Sequence, residues 1–219
     1  MTGLPPGLKL AYTAFLAVLV PVYWQNYGPT NFLYFCDVAL LLTLAGIWLE
    51  SPLLVSIPAV GILAPQMLWL LDFFAGLGGG HLTGLTDYMF DASRPLYLRG
   101  LSLFHGWLPL LLIYLVWRVG YDRRALAGWT VLAWALILFC YFFMPPPSPD
   151  HGITPVNINY VYGFEDEKAQ TLMPQAAWLV TEMILMPLLL SLPVHFALRK
   201  FFPQPARAET APAQLPETA

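Results

Sequence analysis

The chain has 219 residues, 58% hydrophobic and only 11% charged, with a mean hydropathy of +0.62, whereas an ordinary soluble domain carries about 25% charged residues. A chain so poor in charge cannot cover itself with a water-facing surface. Its net charge of -3 and pI near 5.7 leave no basic face for neutralising phosphates, which argues against nucleic acid as a partner. Its two cysteines, Cys36 and Cys140, fall in apolar runs where a secreted-type disulfide framework has no place.

A helix rises about 1.5 Å per residue and the hydrocarbon layer is about 30 Å thick, so a span needs about 20 apolar residues. Residues 8–24 form the first such run. The sequence Val22-Tyr23-Trp24-Gln25 at its end lacks the small residues of a cleavage site, so the run reads as a retained span and not a signal peptide. The turn Asn26-Tyr27-Gly28-Pro29 leads to a second span at 31–49, and Glu50-Ser51-Pro52 to a third at 53–74. A Gly-rich loop, 76–97, precedes the fourth span at 98–119, and Gly120 to Arg124 the fifth at 126–144. A Pro-rich loop, 145–173, precedes the sixth at 174–198.

The expected fold is therefore all-α, a polytopic bundle of about six transmembrane helices forming one domain, 1–202, followed by a disordered tail, 203–219. Basic residues gather on one side (Lys9, Arg118, Arg123, Arg124, Arg199, Lys200, Arg207) and are scarce on the other (Arg94, Arg99, Lys168), which predicts cytoplasmic termini in a multi-pass cell-membrane protein, the cytoplasmic membrane if the source is bacterial. Pro58 and Pro65 in the third span, and Pro187 and Pro193 in the sixth, predict kinks. The residues Trp24, Tyr27, Tyr34, Tyr97, Trp107, Trp117 and Trp129 read as interfacial belts.

Ionisable and amide groups inside spans are costly and are candidates for function. Counting from the span ends puts Cys36, Asp37, Gln66, His105 and Glu182 at similar depth in the outer half, as a cavity open to that leaflet requires. A thiol becomes a nucleophile beside a base, and an imidazole can protonate a leaving group, so Cys36 and His105 are the candidate catalytic pair. The plainer readings are a small buried side chain for Cys36 and a helix–helix hydrogen bond for His105. Asp37 is expected to orient His105, to pair with Arg99 or to serve structure alone; Gln66, Asn159 and Glu182 are supporting polar groups. Asp72 reads as solvated at the boundary and His195 as an interface residue near Arg199 and Lys200. No spacing typical of a metal site or phosphate loop occurs, so neither cofactor nor metal is expected. The aromatic, amide-rich segment 156–162 in the second long loop suits a cap over the bundle.

The segment Tyr34-Phe35-Cys36-Asp37-Val38-Ala39-Leu40-Leu41-Leu42 resembles the Leu-Cys-Asp-Leu-Ala-Leu-Leu element of the bacterial YwaF-like integral membrane family. Leu103-Phe104-His105-Gly106-Trp107, running on to Val119-Gly120-Tyr121, is similar to that family's Ser-His-Gly helix ending in Gly-Tyr. Asn159-Tyr160-Val161-Tyr162 is similar to its Asn-Tyr-Met-Phe segment. The three elements keep the family's order from residue 31 to about residue 190, although a histidine that commonly precedes the Leu-Cys-Asp element is replaced here by Tyr34 and Phe35. The family includes a mammalian ether-phospholipid acyltransferase and is distantly related to the androgen-induced-gene lipid hydrolases. The resemblance implies a nucleophilic cysteine and a helix-borne histidine, which are Cys36 and His105 here, acting on membrane lipids. The competing expectations are a non-enzymatic lipid-binding or carrier protein and, third, a small transporter or scaffold subunit.

Overall fold

The computed structural model describes residues 3–80, 82–202 and 204, and among these every regular element is helical. The expected disordered tail, 203–219, lies outside the described residues except for Gln204. Helix α1 (Pro6–Tyr27) opens with proline at its first position, where no N–H is needed, and stops at Gly28, whose φ of 84° only glycine adopts readily. A 3-10 turn (Pro29–Leu33) leads into α2 (Phe35–Leu49). A tight turn through Glu50 leads to α3 (Pro52–Leu77), capped by the Ser51 hydroxyl accepting from Leu54 N at 3.4 Å. The remaining helices are α4 (Asp87–Phe90), α5 (Leu96–Ser102), α6 (Phe104–Val119), α7 (Ala125–Phe143), α8 (Gln175–Met186) and α9 (Leu192–Phe201).

Among the described residues, five helical stretches are long and apolar enough to cross a membrane: Pro6–Tyr27, Pro52–Leu77, Leu96–Val119, Ala125–Phe143 and Gln175–Phe201. The second predicted span, 31–49, differs from them. Helix α2 has 15 residues, a length of only about 22 Å. It begins at Phe35, not Asn31, because Asn31 is part of the 3-10 turn and its side-chain Nδ2 donates back to Asp37 Oδ2 at 3.1 Å.

Helix α3 is the centre of the bundle, packed by α2, α6 and α7. Its most apolar stretch is 56% buried, against 11% for the α8–α9 stretch, which lies at the periphery. Close packing around α3 uses glycine. Gly46 of α2 lies against Val55, and the Trp129 ring of α7 covers Gly61 so closely that a Cβ there has no room. Trp129 is thus 1% exposed, a core residue and not part of the expected belt. Trp107 likewise packs inward, edge-on to Phe15 at 4.9 Å.

In the sixth span the regular α-helix is interrupted at Pro187, where the π-helical turn Pro187–Ser191 separates α8 from α9. Pro187 cannot donate to the Met183 carbonyl one turn back, and the Trp134 indole of α7 supplies that bond instead, at 2.7 Å. Helix α3 runs without a break through Pro58 and Pro65.

One end of the bundle holds most of the basic groups. Lys9 Nζ meets Glu50 Oε1 at 2.6 Å. His195, expected at the interface, is buried and shares a 2.7 Å hydrogen bond with the Tyr121 hydroxyl. The two long loops cover the opposite end, called here the loop end.

Candidate functional site

The shortness of α2 decides where its first turn lies. Since Gly46 faces Val55 across the α2–α3 hairpin, the antiparallel register puts Cys36 level with Pro65 and Gln66, well below the loop end of α3 at Leu77. Cys36 thus lies in the first turn of a helix that starts inside the bundle, where the Asp37 and Val38 N–H groups donate to the Tyr34 carbonyl at 3.0 Å. The Cys36 sulfur approaches Asp37 Oδ2 at 3.9 Å.

Asp37 is 3% exposed. Its Oδ2 accepts from Asn31, while Oδ1 is buried without a partner. The expected contacts of Asp37 with His105 and Arg99 are not made: Arg99 Nη1 donates instead to the Met89 carbonyl at 3.2 Å. Gln66, at the same level on α3, is also 3% exposed, and neither amide atom has a partner. Unpaired buried polar groups are costly. Two such groups at one level on adjoining helices mark a place where a polar guest would be stabilised.

His105 sits one helical turn nearer the loop end. Its ring is stacked between Trp69 of α3, at 5.1 Å, and Phe104, at 4.0 Å. Its Nδ1 is 2.8 Å from the Ser102 carbonyl. A carbonyl only accepts, so Nδ1 carries the proton and Nε2 keeps its lone pair. Among the described residues no hydrogen bond joins His105 to Cys36. Tyr88 of α4, near Cys36, accepts at 3.2 Å from Nε1 of Trp69, the ring stacked on His105. Ser102 in turn shares a 2.8 Å hydrogen bond with Tyr23 of α1. Sequence reasoning missed Tyr88; the only signal was its position in a long loop.

Asn159 anchors the second loop to this site. Its Oδ1 accepts from Phe35 N at 3.0 Å and its Nδ2 donates to Leu33 O at 2.9 Å, with Cys140 Sγ at 3.7 Å. Asn157, Asn159 and Tyr160 all have positive φ, and the turn is held by Asn157 accepting from Tyr162 N and by Trp178 donating to Tyr160 O. The loop is a fitted cap, with Ile158 and Val161 in a small core beside Ile137 and Leu179. Glu182 is separate from Cys36: it lies near Cys140, and its Oε2 is buried without a partner.

Asp72, expected to be solvated, is 3% exposed and organises the first loop. Its oxygens accept from Thr83 N, Gly84 N, Thr86 N and the Thr86 hydroxyl at 2.6, 3.3, 2.8 and 2.7 Å. Four donors satisfy a carboxylate, so its role is to hold the loop. Two surface hollows open at the loop end, one beside Asp72 and Phe90 and one beside Phe164 and Trp178; neither is lined by Cys36 or His105. Among the described residues no group of three His, Cys, Asp or Glu side chains could hold a metal ion.

The long apolar helices, one central and the rest presenting apolar side chains outward, make this an integral membrane protein by physical chemistry alone. Comparison with protein-family models, curated proteins and solved structures finds no match.

Proposed function

We propose that the protein is a multi-pass membrane enzyme that transfers or hydrolyses the acyl chain of a lipid, with Cys36 as nucleophile and His105 as proton carrier. The observation that carries the reading is the setting of Cys36: first turn of an internal helix, level with the unpartnered Gln66 amide and Asp37 Oδ1. The similarity of the Cys36, His105 and Asn159 segments to the YwaF-like family supports the same chemistry.

In this mechanism Cys36 Sγ attacks the ester carbonyl while the thiol proton passes to His105 Nε2. The tetrahedral adduct expels the lipid alkoxide, which takes that proton, leaving a thioester on Cys36. A second alcohol, or water, then attacks the thioester, passing its proton through His105 back to the sulfur. The ester reaches thiol and imidazole only when the Tyr88 side chain gives way to it.

The test is reconstitution with a phospholipid labelled in its acyl chain, followed by hydroxylamine treatment. A hydroxylamine-labile acyl group on the wild type and its loss in Cys36→Ala are expected; equal labelling of Cys36→Ala would overturn the reading. The missing Cys36–His105 hydrogen bond favours a second reading, a lipid-binding protein without catalysis. It predicts no thioester, and lipid retention that survives Cys36→Ser but not Gln66→Leu.

A further inference from the structure

The two most exposed large apolar side chains among the described residues are Leu172, at 83%, and Phe164, at 80%. Neither is on a spanning helix; both are on the second loop. Phe164 is seated edge-on against Trp178, ring centroids 5.1 Å apart, and Trp178 lies in the first turn of α8, where a spanning helix meets the membrane boundary. The loop there is built and not loose. Gln170 bonds to Leu172 N at 2.9 Å, Met173 N at 3.1 Å and Met173 O at 2.8 Å, and its carbonyl accepts from Gln175 at 3.0 Å. Phe164, Leu172 and Trp178 line a hollow of about 310 Å³ together with Lys168 and Glu165, at the small end of ligand-sized sites. Lys168 Nζ and Glu165 Oε2 are 3.4 Å apart on its rim, with 75% and 64% of their side chains exposed.

We propose that this hollow seats one zwitterionic phospholipid from the leaflet at the loop end. Phe164 and Leu172 enter the acyl–headgroup boundary, with the lipid chain running down the lipid-facing side of α8, whose Val180 and Ile184 are exposed. The Lys168–Glu165 pair presents one positive and one negative group, matching the phosphate and the ammonium of such a headgroup. The seat depends on the chain spanning a membrane and is independent of chemistry at Cys36.

The test uses the full chain in nanodiscs containing phosphatidylcholine with a photoreactive group beside the headgroup. Crosslinks are expected to concentrate on residues 163–178 and to fall about tenfold, the equivalent of about 1.4 kcal/mol, in a Phe164→Ser, Leu172→Ser variant. Crosslinks on α1 should not change. Labelling of 163–178 no denser than on α1, or undiminished in the double variant, overturns the seat. Equal capture of a photoreactive phosphatidylglycerol overturns the zwitterionic assignment. Both readouts are scored in Cys36→Ala as well, so failure here is separable from failure of the acyl-transfer reading.

Discussion

The Asn159 side chain caps the backbone amide of Phe35, 124 residues earlier in the chain, at 3.0 Å, and so fixes the residue before Cys36. It does the work of an N-cap residue from a distant loop. Asn159→Ala leaves the Phe35 N–H and Leu33 C=O unpaired and is expected to lower stability by about 1–3 kcal/mol. It should also speed maleimide modification of Cys36 in detergent. Thermal unfolding followed by tryptophan fluorescence measures the first effect, and mass spectrometry the second.

Asp72 gathers four donors from one loop. Asp72→Ala should therefore release that loop without unfolding the bundle. Limited proteolysis is expected to cut several-fold faster between Gly78 and Asp87 while the helical circular dichroism is unchanged.

Trp134 and Pro187 form a testable pair, since the indole bonds the carbonyl that Pro187 cannot. Trp134→Phe should cost about 1 kcal/mol in the wild type. In a Pro187→Ala background, where residue 187 can donate again, the same change should cost less. A double-mutant cycle on unfolding free energy reads the coupling.

Asp166 lies in the second loop, outside the spans. Burial holds its carboxyl above the usual carboxylate value, against partial relief from His151, Asn157 and Arg94. A carboxyl raised in the folded state favours the fold when protonated. Loop stability is thus greatest below the ordinary value of about 3.9 and declines as pH rises through the raised one. Hydrogen-exchange protection of residues 163–173, after correction for the intrinsic pH dependence of amide exchange, should rise on acidification from neutral pH, and Asp166→Asn should abolish that rise.

Hydropathy and turn residues made most of the bundle legible, because a long apolar run has few alternatives to a helix in lipid. They mislead at Asn31, whose run is apolar enough to span; Pro29 and the side-chain bond from Asn31 to Asp37 set a 3-10 turn that no hydropathy count detects. Trp129 looked like a belt residue because its burial depends on Gly61, 68 positions away, being small enough to face it. The depth of Cys36 and Gln66 followed from counting residues, but what each side chain touches did not. Tyr88 comes to the site only because Asp72 folds the loop that carries it, a contact with no periodic trace.

The most direct measurement places a diazirine next to the ester carbonyl of a phospholipid and maps its adducts on the reconstituted protein. The account predicts adducts on the first turn of α2 around Cys36 and on α6 around His105, reduced by Gln66→Leu. Adducts confined to outward-facing side chains such as Leu10, Val131 and Leu189, with none near Cys36 or His105, would contradict it.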